Sequence, residues 1–128
     1  MIAAIYVSLC AFLIVWLSLN VIKKRRKNKV RFGDGDIEEL KLAIVAHSNA
    51  VEYIPIALLL LIAFEFNGGY KIIVHAFGWS LLIGRIIHAR GILSGNLKER
   101  VLGMQVTIST IIALGFSNVV TLPYENLL

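Results

Sequence analysis

Six side chains able to do chemistry lie inside long apolar stretches: His47, Asn49 and Glu52 in one, Arg85, His88 and Arg90 in another. A carboxylate, a carboxamide, a guanidinium and an imidazole can together brace two helices or hold a small charged molecule. If both stretches are helical, at about 100° per residue Asn49 and Glu52 lie about 60° apart, while His47 is turned about 140° from Glu52. Arg85 and His88 share a stripe with Ile92, and Arg90 points elsewhere, close enough to its helix end to snorkel toward lipid headgroups. This spacing predicts a Glu52–Arg85 pair, since a charge inside a bilayer costs at least about 2.5–3.5 kcal/mol and normally finds a partner. Two readings stay open from the residues alone. One is a structural ion pair with Asn49 and His88 satisfying leftover hydrogen bonds. The other is a polar pocket open to the cytoplasm, in which the cations Arg85, His88, Arg90 and Arg100 exceed what Glu52 neutralises and an anionic or zwitterionic ligand completes the site.

The elements that must carry these residues follow from composition. The chain has 128 residues, of which 58% are hydrophobic and 16% charged, with a mean hydropathy of +0.79. Soluble domains average about 25% charged residues, so a disordered chain, a disulfide-stapled domain and most water-soluble folds are excluded. Residues 2–22 contain no charge and, as a helix, span about 31 Å, the thickness of a bilayer's hydrocarbon core. The basic residues follow this run instead of preceding it, so it reads as a retained helix and not a cleaved signal. Asp36 with Glu39 three residues later predicts an N-cap and capping box for a second helix over about 37–66, interrupted by Pro55 and ended by Asn67-Gly68-Gly69. Third and fourth helices fit about 70–93 and 100–122, the last stopped by Pro123. The expectation is one all-α domain over 1–128, a bundle of four transmembrane helices in an integral membrane protein.

Charge placement predicts orientation. Lys23, Lys24, Arg25, Arg26, Lys27, Lys29 and Arg31 follow the first run, Lys98 and Arg100 fall between helices three and four, and the opposite side offers only Lys71. Loops rich in Lys and Arg stay cytoplasmic, so both termini are expected on the non-cytoplasmic side. The net charge of +5 is thereby assigned to membrane topology and contact with anionic lipids, not to nucleic acid. The three histidines lack a His-x-x-x-His spacing on one face, so no metal site is expected, and Cys10 reads as a packing residue. Gly84, Gly91, Ser109 and Ala113 read as small residues that let helices approach, and Gln105 and Asn118 as bonds across helices. A four-helix drug exporter is disfavoured because the first helix has no carboxylate.

Two segments carry a family resemblance. Ala46-His47-Ser48-Asn49-Ala50-Val51-Glu52-Tyr53-Ile54-Pro55 resembles the helix-two signature of the MAPEG family, membrane-associated proteins in eicosanoid and glutathione metabolism, and Gly84-Arg85-Ile86-Ile87-His88 is similar to its helix-three motif. The resemblance implies a homotrimer in a bacterial inner membrane that binds glutathione between subunits near the cytoplasmic side. Asn49, Glu52, Arg85 and His88 would line that site, and Arg100 is the nearest match to the arginine that stabilises the thiolate. The implied activity is transfer of glutathione to, or reduction of, a lipophilic electrophile that arrives from the bilayer. Val45 stands where the motif usually opens with arginine, and Ile92 where several members have tyrosine. The alternative is therefore a non-catalytic member that keeps the fold as a membrane binding or scaffold protein.

Overall fold

The computed structural model describes residues 1–127, apart from the side chain of Asn126; Leu128, the last residue of the expected domain, lies outside the described residues. Four helices follow one another: α1 Ala3–Asn28, α2 Glu38–Phe66, α3 Lys71–Ser94 and α4 Leu97–Thr121, with a single 3-10 turn at Tyr124–Asn126. All four are long and apolar enough to cross a membrane.

α1 runs six residues beyond the expected end at 22, so the basic segment that reads as loop is helical as far as Asn28. Lys and Arg are good helix formers, and cations in a last turn are favoured by the helix dipole. The helix closes at Lys29, whose left-handed backbone (φ 55°) directs its N–H to the Arg25 and Arg26 carbonyls. Glu39 secures the extension. It accepts from Asn28 Nδ2 at 3.0 Å and pairs with Lys24 Nζ at 3.3 Å and Lys27 Nζ at 3.1 Å. This use of Glu39 corrects the capping-box expectation. Asp36 adopts a left-handed φ of 56°, Ile37 occupies the N-cap position without a side-chain bond, and the carboxylate that was to reach back to Asp36 reaches α1 instead.

At the opposite corner α4 begins at Leu97, three residues earlier than expected, because the Asn96 side chain accepts the Glu99 N–H at 3.3 Å and caps it. Only Gly95, left-handed at φ 71°, and Asn96 separate α3 from α4. α2 continues through Pro55.

α3 is the hub. Ten of its residues are buried, against eight in α2 and four each in α1 and α4; α2 and α3 each touch the other three helices, while α1 and α4 do not meet. Cys10, Leu17, Ala46, Ala50, Ile54 and Leu81 form the core where α1, α2 and α3 converge. α3 and α4 approach most closely through glycine. A Cβ on Gly103 would strike the His88 backbone nitrogen and the Gly84 carbonyl, and one on Gly91 would strike the Arg100 backbone nitrogen. Gly84 and Gly91 thus act as expected, but their counterpart on α4 is Gly103; Ser109 is exposed. Asn118 does bond across helices, donating to the Leu60 carbonyl at 2.8 Å, whereas Gln105 is exposed. At the far end the Glu65 carboxylate accepts the Ile2 and Ala3 N–H groups at 2.6 and 2.7 Å, covering two free donors at the start of α1. Gly78 leaves room for the Tyr6 ring, whose hydroxyl bonds His75 Nδ1 at 2.7 Å.

The glycine contacts set opposite expectations for two alanine substitutions. Gly103→Ala forces α3 and α4 apart and should lower stability by about 1–3 kcal/mol. Gly115→Ala meets nothing within 4 Å and should be neutral or stabilising by up to about 1 kcal/mol. Thermal unfolding of both in one detergent checks this, and an undiminished Gly103→Ala protein would refute the close packing.

Candidate functional site

Arg85 sits at the centre of the buried stripe of α3, with Val74, Gly78, Leu81 and Ile92 all within about 40° of it around the axis. It is 1% exposed. Its Nη2 donates to Asn49 Oδ1 at 2.6 Å, and its Cζ stands 5.7 Å from the Tyr53 ring centroid, a cation–π contact. Nε and Nη1 are buried and have no hydrogen-bond partner. A charge-assisted hydrogen bond contributes about 1.5–3 kcal/mol and a desolvated cation–π contact about 2 kcal/mol. These are comparable to the cost of placing the charge in a bilayer, yet neither partner carries a negative charge. The result is a guanidinium held in place, still cationic, with two of its nitrogens buried and without a hydrogen-bond partner.

One turn further along α3, His88 is 2% exposed. Its Nδ1 lies 2.7 Å from the Arg100 carbonyl, and since a carbonyl only accepts, Nδ1 carries the proton. That leaves Nε2 as a bare acceptor in the neutral ring, and it is buried without a partner. The bond joins α3 to α4 beside the Gly103 contact, and together with Gly91 it fixes the backbone of Arg100 against α3. The Arg100 side chain is exposed.

Glu52 does not pair with Arg85. It is exposed, and among the described residues no ion pair includes it. The cause is angular. The buried stripe of α2 centres on Ala43, Ala50, Ala57 and Leu61. Asn49 lies about 100° from that centre and reaches Arg85 at the flank, while Glu52, about 60° further round, faces away from the bundle. Arg90 points away from the Arg85 stripe, as expected, and is exposed near the end of α3, where it grips Glu99, Nε to Oε2 at 2.9 Å and Nη2 to Oε1 at 2.5 Å, across the α3–α4 corner. The structure therefore joins Asn49 with Arg85, sets His88 beside them on α3, and leaves Glu52 and the Arg100 side chain on the surface. Tyr53 is a site residue that residue-type reasoning passes over. Its signal is its position four residues after Asn49, on the same flank of α2.

A double-mutant cycle distinguishes the two carboxylate and carboxamide candidates. Asn49→Ala strands the Arg85 Nη2 group and should cost about 1–3 kcal/mol, with coupling to Arg85→Gln of similar size. Glu52→Gln should show no coupling to Arg85→Gln within about 0.5 kcal/mol. Unfolding free energies of the single and double variants provide the check, and strong Glu52–Arg85 coupling would contradict the observed geometry.

The chain is 38% identical over 125 residues to the inner membrane protein YecN of Escherichia coli K12, covering 98% of this chain and 95% of that protein. It has the same identity and coverage with YecN of Escherichia coli O6:H1. The MAPEG family profile matches residues 3–120. With four apolar helices spanning the chain and a family match over nearly all of it, this integral membrane protein belongs to the MAPEG family.

Proposed function

We propose that the protein binds glutathione in a bacterial inner membrane and uses it to conjugate or reduce a lipophilic electrophile that enters from the lipid. The observation that carries this reading is Arg85, a buried guanidinium with Nε and Nη1 unpartnered and, among the described residues, no ion pair to a carboxylate. Glutathione supplies two carboxylates for such a cation. Asn49 and Tyr53 are half-buried between Arg85 and the outer surface of α2, so they line the approach, and the His88 Nε2 lone pair offers a second polar contact. Glu52, on the outward side of the same helix, suits the glutathione ammonium in a site shared between subunits. A homotrimer would cover it and remove the cost of exposing a carboxylate to lipid. Arg100, with its backbone held by His88 and its side chain free of the core, is the candidate for stabilising the thiolate.

A second reading is favoured by two specific placements. Val45 packs against the apolar core and Ile92 lies within it, 2% exposed, so neither position adds a polar group to the site. In that case the protein binds glutathione, or a related anion, without turnover.

Calorimetry in mild detergent separates these possibilities. Glutathione should bind the parent protein, and Arg85→Gln should weaken binding about ten- to hundredfold, as loss of one charge-assisted contact predicts. Arg100→Gln should retain binding but lose the ultraviolet absorbance of bound thiolate and the conjugation of a chromogenic electrophile. Binding without thiolate or conjugation in the parent selects the second reading; no binding removes glutathione from the account.

The same proposal places residues 29–37 and 95–96 in the cytoplasm, because the clustered Lys and Arg lie at that end of the bundle and Lys71 alone at the other. An alkaline-phosphatase fusion at the C-terminus should be active and a fluorescent-protein fusion dark. The reverse pattern would invert the topology.

A further inference from the structure

Of the seven cations that follow the first apolar run, the fold divides six into two sets. Lys24 and Lys27 turn toward α2 and are neutralised by Glu39. Arg25, Arg26, Lys29 and Arg31 turn the other way and, with Ile22 and Val30, line a groove of 590 Å³. No carboxylate lines it. The groove is built by specific contacts. The Val30 N–H returns to the Arg25 carbonyl at 3.1 Å, Arg25 Nη1 donates to the Gly33 carbonyl at 2.7 Å, and Gly35 packs so closely on Val30 that a Cβ there would lie 2.9 Å from Val30 Cγ2. Arg26, Lys29 and Arg31 make no side-chain hydrogen bond or ion pair among the described residues, so their charge is free for a ligand.

We propose that this groove binds the headgroup of an anionic phospholipid. The cations match a phosphodiester, and the depth matches a lipid more closely than a soluble phosphate. Ile22 is the last residue of the uncharged run, so the floor of the groove begins where the hydrocarbon core ends, and acyl chains can lie along α1 below it. Phe32, 89% exposed beside the cations, gives the loop an apolar side chain able to insert at the acyl boundary. Each Lys or Arg near an anionic surface adds to such binding, and convergence on one groove turns a general attraction into a site. This inference is independent of the glutathione reading, since the groove shares no residue with Arg85, Asn49 or His88.

The test compares two variants that remove equal charge from the same segment, 24–29: Arg26→Gln/Lys29→Gln in the groove and Lys24→Gln/Lys27→Gln against Glu39. Fluorescently labelled phosphatidylglycerol is titrated into the full-length protein in neutral detergent, with phosphatidylcholine and inorganic phosphate as competitors. Phosphatidylglycerol should be preferred over phosphatidylcholine by about tenfold or more, the groove variant should lose about tenfold or more in affinity, and the other variant should change less than about twofold. Arg31→Gln alone, on an exposed loop, provides a milder variant that should weaken binding in the same direction. Equal losses in the two double variants would show diffuse surface charge, and absence of preference or displacement by inorganic phosphate as effective as by lipid would overturn the lipid site.

Discussion

A guanidinium enclosed by apolar helices must be compensated wherever it lies, and Arg85 sets that requirement for the whole bundle. It occupies the middle of the buried face of the most buried helix, so α1 and α2 pack around a fixed positive charge. Asn49 and Tyr53 offset the desolvation without neutralising it. A carboxylate at this point would have made a closed ion pair, stable against removal of neither partner and indifferent to ligands. The chain instead keeps Glu52 on the outer face of α2 and leaves two guanidinium nitrogens unoccupied. Under the glutathione reading proposed above, a ligand carboxylate would take up those two donors.

The position of the charge depends in turn on how α3 meets α4. Gly84, Gly91 and Gly103 bring the two backbones together, and this closeness lets the His88 ring span to the Arg100 carbonyl. The start of α4 is thereby tied to the helix carrying Arg85, and the Arg90–Glu99 pair repeats the tie at the corner. A side chain at any of the three glycines would shift Arg100 relative to Arg85. Packing and site geometry are the same contacts here.

Much of the architecture is legible in the sequence. Apolar stretches of membrane-crossing length, separated by Asn-Gly-Gly and Gly-Asn after the basic segment, mark four helices with bounds close to those observed. The misreadings have identifiable causes. Residues 23–28 look like loop because they are charged, but helix propensity and a carboxylate eleven or more residues away, Glu39, decide otherwise. The motif Asp36-x-x-Glu39 fits a capping box only until that tertiary partner competes for the glutamate. Glu52 and Arg85 look like a pair because both are charged and both fall in the same half of the bundle. Whether they meet depends on the rotation of α2 about its axis, and the 60° between Asn49 and Glu52 suffices to put one inside and the other outside. Helix periodicity indicates which residues share a stripe; the orientation of that stripe comes from Ala43, Ala50, Ala57 and Leu61, small and apolar residues whose role shows only once the helices are packed.

In the glutathione reading proposed above, Arg85 serves an external anion and not the stability of the protomer. Thermal unfolding of Arg85→Met with and without glutathione tests it most directly, since methionine preserves much of the side-chain length while removing a buried charge that no carboxylate neutralises. The account predicts that the ligand-free variant unfolds at the same or a higher temperature than the parent, and that the stabilisation glutathione gives the parent disappears. A ligand-free variant that unfolds at a clearly lower temperature, yet is stabilised by glutathione as much as the parent, would contradict it.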